Sequence, residues 1–199
     1  MSYSREQLED WIKTITNVKG NILDIGGSQL SIIKRLNKNE LDIDDYKILD
    51  LEEPHECKEK PDIIWDINES LNNTNTIDFN KPPDLYMNKF DMAFCIEVSE
   101  YWWNPIQALN NINYLIKKDG ILYISFHFIY PVHNPVEQDF LRYTPKGVEK
   151  ILEETGFEIL EMKPRLFKGY LNLHIDGMRP AKEYNKHQWQ GCLVKCLKK

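Results

Sequence analysis

No apolar run in this 199-residue chain approaches the roughly 18 residues needed to span a bilayer, so no membrane insertion is expected. The opening stretch, MSYSREQLEDW, is polar and acidic and is expected to be neither a signal nor a transit peptide. An excess of positive charge is also missing. Against 25 Lys and Arg stand 31 Asp and Glu, a formal net charge of −6, so composition gives no general pull toward nucleic acid or anionic lipid. The four cysteines, Cys57, Cys95, Cys192 and Cys196, form no Cys-x-x-Cys pair and have no His cluster beside them. Reduced thiols in a cytoplasmic protein are expected, and a metal site is not. No internal repeat and no Gly/Ser linker divides the chain, which leaves a single domain over residues 1–199.

What is present can build a core. Hydrophobic residues make up 42% of the chain and aromatics 12%, which excludes a disordered polymer. Ser4 to Thr16 has helical spacing through Leu8, Trp11, Ile12 and Ile15, with a capping-box pattern at Ser4 and Gln7. Short apolar runs then predict strands at 21–25, 46–51, 62–66, 90–96 and 121–126. Helices are predicted at about 30–37, at 104–116 with Lys117-Lys-Asp-Gly120 as its end, and from Thr144 to about Thr155, with Pro145 at its first position. Residues 68–89 read as loop. Two last strands, 157–162 and 189–197, have no helix evident between them. Strands that lack polar alternation and alternate with helices indicate α/β architecture with a mostly parallel sheet, covered on both faces. The last two strands suggest an antiparallel C-terminal hairpin at one edge. In such doubly wound sheets ligands bind beyond the strand carboxyl ends.

Three carboxylates fall there: Asp24, Asp50 and Asp66, each near the end of one of the first three strands. Gly26-Gly27-Ser28 directly follows the first strand, where glycine permits close backbone approach to a ligand. A carboxylate at the second strand tip can accept two hydrogen bonds from a ribose diol. Each feature alone is weak, because strand-to-helix turns often use glycine and Asp often ends strands. The ordered set carries the weight.

On these residues the sequence resembles the class I S-adenosylmethionine (SAM) dependent methyltransferases. Asn21-Ile-Leu-Asp-Ile-Gly-Gly-Ser28 is similar to their first motif and Lys47-Ile-Leu-Asp50 to their ribose-binding strand end. Ile64-Trp-Asp-Ile67 is similar to the segment that contacts the adenine amine, and Phe90 to Glu100 to the fourth-strand motif. The resemblance implies a Rossmann-like, seven-stranded sheet and SAM as cofactor, with S-adenosylhomocysteine as product. It implies SAM contacts from Asp24, Gly26, Gly27, Ser28, Asp50, Leu51, Asp66, Ile67, Cys95, Ile96 and Glu97. Ser28 and Leu30 stand where the family usually has its second and third glycines, and Tyr101 where it often has His. A nicotinamide-dependent oxidoreductase, the competing reading, lacks the full Gly-x-Gly-x-x-Gly pattern.

The stretch Phe126 to Thr144 carries His127, His133, Asp139 and Arg142 past the fifth strand. It resembles a subgroup of these enzymes associated with glycosyltransferases in glycan assembly, and the sugar-methylating domain of chlorovirus glycan-building proteins. That resemblance implies O-methylation of a sugar or glycan acceptor, for example a deoxysugar such as rhamnose, with glycosyltransferases of the same pathway as partners. Other small metabolites, or a non-catalytic SAM-fold module, are the alternatives. A sugar hydroxyl is a poor nucleophile and calls for a base. His133, in a Pro-rich loop, is the first choice; its other reading is a loop-bracing side chain. His127 is the second choice, unless strand alternation points it into the core. Asp139 and Arg142 are spaced for an ion pair, with Arg142 also available to a sugar. Glu100, Tyr101 and Trp102 are candidate cleft-wall contacts, Trp102 with core packing as an equal reading.

Overall fold

A computed structural model describes residues 2–69, 86–166 and 189–199. Its elements are α1 (Tyr3–Lys13), β1 (Val18–Ile25), β2 (Leu41–Asp50), β3 (Ile63–Ile64), β4 (Phe90–Cys95), α2 (Pro105–Leu115), β5 (Ile116–His127), α3 (Pro145–Glu154), β6 (Phe157–Leu166) and β7 (Trp189–Lys198). The seven strands form one sheet in the order β3-β2-β1-β4-β5-β7-β6. The first five pair in parallel; β7 runs antiparallel to both β5 and β6. This is the Rossmann-like sheet, mostly parallel with a reversed C-terminal pair, that the alternation of apolar runs and helices predicts.

Central strands are apolar on both faces because both faces are covered. On one side Leu8, Trp11 and Ile12 of α1 pack with Ile22, Phe94 and Tyr123. On the other, Leu109 and Ile112 of α2 and Val148 and Leu152 of α3 pack with Leu23, Ala93, Leu122 and Val194. Helix starts follow side-chain chemistry. Asn104 accepts from Gln107 N at 3.4 Å ahead of Pro105, and Thr144 accepts from Gly147 N at 3.1 Å ahead of Pro145.

Several local expectations are corrected. The cap of α1 is Ser2, which accepts from Arg5 N. Ser4 and Gln7 are spent on tertiary contacts instead: Ser4 Oγ accepts from Arg165 Nε at 2.9 Å, and Gln7 exchanges two hydrogen bonds with the backbone of Leu166. The predicted helix at 30–37 is only a 3₁₀ turn, Ile32–Lys34. The Asp24 carboxylate takes the Ile32 N–H at 2.6 Å and Asn37 caps the next turn through Asn39 N, and such side-chain bonds compete with helix. Lys117 to Gly120 are not a helix end. They begin β5, where Lys117 Nζ pairs with Asp91 at 2.7 Å and Asp119 takes φ 63°. The second strand starts five residues earlier than expected, because exposed Asp42 and Asp44 alternate with packed Leu41 and Ile43.

Asp24 ties β1 to β2 beneath the glycine turn. Its Oδ2 accepts from the Tyr46 hydroxyl at 2.5 Å and from Ile32 N. Burial pushes its pKa up to about 7, against the lowering effect of these two donors. A carboxyl whose folded pKa exceeds its unfolded value near 4 loses stabilising power as pH rises between them. The wild-type chain should therefore lose stability from about pH 4 to about pH 7 relative to Asp24→Asn, which keeps an acceptor for both donors. Chemical denaturation of both proteins across that range checks this; parallel pH profiles would overturn it.

Candidate active site

The carboxyl ends of β1, β2 and β4 and the loops around them enclose a cavity of about 580 Å³, within the range of small-molecule sites. Gly26 opens it. This residue sits at φ 73°, its N–H bonds Leu49 O at 2.8 Å, and an added Cβ would lie 2.4 Å from Val98 Cγ2. Only glycine keeps both the turn and the space. Asp50, at the tip of β2, faces the cavity and accepts from Ser28 N at 3.2 Å and Leu51 N at 2.9 Å. Burial raises its pKa, and those backbone donors oppose the rise. Leu51, Asp66, Ile67, Ile96 and Glu97 also line the cavity. Asp66 Oδ1 accepts from both the backbone and the side chain of Asn68, whose own Oδ1 accepts from Trp103 N. That chain of bonds couples the two ends of the cavity.

Four of the expected cofactor residues stand behind this wall. Asp24 is buried under the turn, and a Cβ on Gly27 would strike the Asp24 carboxylate at 2.4 Å. Cys95 is fully buried in the sheet core. Ser28 is buried as well, where it serves the loop: its N–H binds Asp50 and its carbonyl accepts from Lys58 and Glu59 N. The Ser28 hydroxyl itself is buried and has no hydrogen-bond partner among the described residues. The sequence reading missed Arg5, Gln29, Trp65, Asn68, Val98, Gln138 and Phe140, all of which border the cavity. Only Asn68 left a signal, as an Asx-type neighbour two residues past Asp66.

The β4 end carries a buried charge network. Glu97, at φ 61°, holds an uncommon conformation for a non-glycine residue. Arg165, buried at the far end of β6, donates to Glu97 Oε1 at 2.5 Å and to Ser4 Oγ. The other flank holds His127 Nε2, 3.5 Å from Glu97 Oε2 and 3.2 Å from Glu100 Oε1. Neither contact is aligned as a hydrogen bond, and among the described residues neither ring nitrogen of His127 has a hydrogen-bond partner. Burial raises the Glu97 and Glu100 pKa values, but their cationic neighbours outweigh it and hold both carboxyls low. Burial likewise opposes charge on His127, yet Glu97 and Glu100 lift its pKa to about 9.

The acceptor loop folds onto Glu100. His133 lines the cavity and is 37% exposed; its Nδ1 lies 3.1 Å from Glu100 Oε1 and 3.1 Å from the Tyr101 hydroxyl. Tyr101 donates its proton to Asn134 O at 2.6 Å. Nδ1 is therefore assigned the imidazole proton, leaving Nε2 with a lone pair. Among the described residues Nε2 has no hydrogen-bond partner. Asp139 accepts from His133 N at 2.5 Å and makes a bidentate pair with Arg142, which also donates to Tyr130 O, Pro131 O and Leu141 O.

Several acceptor-side expectations need correction. Asp139 and Arg142 brace the loop rather than line the cavity, and their pair is not helical. Glu100 is no cleft wall, being wholly buried behind His133. Trp102 borders the cavity but is 1% exposed and packs edge-on to Phe126, so its role is core. Trp103, at 55%, is the exposed one. His127 is in the core, as strand alternation allowed. His174 and His187 lie outside the described residues.

The sheet order is that of the Rossmann-like methyltransferase fold. No protein-family model and no curated protein sequence matches the chain. Solved structures do. A SAM-dependent methyltransferase from Archaeoglobus fulgidus superposes with TM-score 0.61 at 16% identity, over 98% of this chain and 92% of that one. The 1,6-didemethyltoxoflavin-N1-methyltransferase of Burkholderia thailandensis, with bound S-adenosylhomocysteine, gives 0.61 at 14%, over 98% and 78%. The [4+2]-cyclase SpnF gives 0.59 at 17%, over 97% and 80%.

Arg165 is the only cation among the described residues bonded to Glu97 other than His127. Arg165→Met should therefore leave a largely buried carboxylate with His127 as its one remaining cation among the described residues, and destabilise the chain by up to about 3–5 kcal/mol. Adding Glu97→Gln should restore a large part of that loss. Urea unfolding of the single and double variants measures it, and simple additivity of two losses would refute the coupling.

Proposed function

We propose that the chain transfers the methyl group of SAM to a hydroxyl of a carbohydrate acceptor. The observation that carries this reading is one cavity lined by Asp50 and Asp66 and by His133, whose Nδ1 is backed by the buried Glu100 carboxylate. The Asp50 part of the wall suits SAM: Gly26 keeps the turn open, and the hydrogen bonds that Asp50 accepts among the described residues come from two backbone N–H groups, so lone pairs remain for a ribose diol. Asp66, Ile67 and Leu51 would flank the adenine, and Ile96 and Glu97 the middle of the cofactor. Bound SAM supplies an electrophilic methyl group on a sulfonium.

The chain's own residues would do the rest. His133 Nε2 takes the proton of the acceptor hydroxyl as that oxygen gains its methyl group. Glu100, held low by its neighbours, keeps the Nδ1 proton in place and stabilises the imidazolium that forms. Asp139 and Arg142 fix the loop that aims the ring, and alignment of this kind supplies much of the rate in a displacement. Trp103 and Phe140, both exposed beside the cavity, offer flat apolar faces for a sugar's C–H face, while Tyr101 and Gln138 supply polar groups. The likeness of the acceptor loop to the glycan-assembly subgroup supports the same acceptor, with glycosyltransferases as pathway partners.

Two measurements test the reading. Asp50→Ala should weaken S-adenosylhomocysteine binding by about 1.5–3 kcal/mol by calorimetry, the range for hydrogen bonds to a charged group. Unchanged affinity in a folded variant removes Asp50 from the site. A glycoside panel read by mass should reveal methyl transfer, and His133→Ala should cut it about 10²–10⁴-fold at unchanged cofactor affinity. Near-normal turnover in that variant would move the base elsewhere. Failure of the wild-type chain to bind SAM or S-adenosylhomocysteine would favour a non-catalytic module.

A further inference from the structure

Glu100, His127 and His133 lie on separate segments, yet they bring one ligand atom each within 4.8 Å of one another. Glu100 Oε1 is 3.2 Å from His127 Nε2 and 3.1 Å from His133 Nδ1. In a tetrahedral zinc site with ligands at about 2.0–2.2 Å, neighbouring ligand atoms stand about 3.3–3.6 Å apart. Both separations lie within a few tenths of an ångström of that range. A second observation is independent of that geometry. Glu100 and His127 are at least 99% buried, and among the described residues Glu100 Oε2 and His127 Nδ1 have no hydrogen-bond partner. Buried polar atoms without partners ask for a ligand. Two imidazoles and one carboxylate suit late first-row divalent ions better than magnesium or calcium, which prefer all-oxygen sets.

We infer that Glu100 Oε1, His127 Nε2 and His133 Nδ1 form a site for a divalent ion such as zinc or cobalt, and that its occupancy switches off the His133 base. The switch half rests on the proposed function. In the base state Nδ1 carries the proton and donates to Glu100, which leaves the Nε2 lone pair free. A metal ion on Nδ1 takes the lone pair there, so the ring's proton sits on Nε2, which can no longer accept another. The proton that His127 carries is released to solvent as its Nε2 binds the ion. One imidazole cannot serve both states at once. The sequence shows no Cys-x-x-Cys pair, and these three ligands are spaced 27 and 6 residues apart, outside any compact ligand motif.

The test uses the full chain, stripped with a chelator and titrated with Co²⁺. Visible d–d absorption and elemental analysis should report one ion per chain. His127→Ala, Glu100→Gln and His133→Ala should each weaken binding by more than the about 10–100-fold typical of losing an outer-shell partner. His133→Ala changes a part-exposed loop residue and is the variant expected to fold normally. His55→Ala, at the far rim of the cavity, should bind Co²⁺ like the wild type. No uptake by the wild-type chain, or equal uptake by folded His133→Ala, overturns the site. The loaded chain should bind S-adenosylhomocysteine as the stripped chain does but lose methyl transfer, with return of activity on chelation. Equal turnover in both forms overturns the switch. Absence of methyl transfer in the stripped chain sinks the functional reading, and the switch with it, while the metal titration still decides the site.

Discussion

Two carboxylates lie three residues apart past the carboxyl end of β4: Glu97 at the cavity wall, with 12% of its side chain exposed, and the fully buried Glu100. Cations hold both in place. Removing paired charges from water is costly, so such a network persists only where good geometry repays the loss. Here the partners come from every part of the chain that shapes the site. Arg165 arrives from β6 and is itself held by Ser4 of α1; His127 ends β5; His133 hangs from the acceptor loop. The backbone follows the charges. Phe140 and Leu141 N–H groups donate to Glu100 O, Tyr143 N donates to His127 O, and the Tyr143 hydroxyl donates to Ser99 O. Satisfying two buried acids thus fixes where α1, β5, β6 and the loop meet.

A second brace sets the opposite end of the cavity. Asp24 binds Tyr46 and Ile32, while Asp50 binds the N–H of Ser28, so the turn after β1 is held from below and from the side. The cavity is the gap between these two braced ends, spanned by the Asp66–Asn68–Trp103 bonds. Rigid support of this kind is what positions groups to within the tolerance a displacement reaction demands.

The sheet was legible because its signals are local and repeated: apolar runs, Thr144-Pro145 and Asn104-Pro105 caps, and Gly26 at a strand end. Asp50 and Asp66 were legible as cavity residues because a strand tip points its side chain where the topology puts ligands. The failures share one cause. Ser4, Gln7 and Lys117 each fit a local motif, yet each bonds a partner far away in sequence: Arg165, Leu166 and Asp91. Asp24 looked like a ligand contact because its position resembles one, but a 2.5 Å bond to Tyr46 turns it inward. Glu100 and His127 could not be placed without knowing that β4 and β5 are neighbours.

Fold likeness at 14–17% identity extends to methyltransferases and to a cyclase alike, so the reaction has to be argued from side chains rather than from the sheet. In this chain the deciding atom is His133 Nδ1. Tyr101 has given its proton to Asn134 O and can only accept, and Glu100 is held as a carboxylate and can only accept. With two acceptors on one side, the ring has a single tautomer open to it, and its lone pair lies on the nitrogen away from the acids. A histidine facing a donor at that position would carry the opposite tautomer and no basic Nε2. The identity of the neighbours, more than the presence of a histidine in the loop, is what leaves the Nε2 lone pair unclaimed.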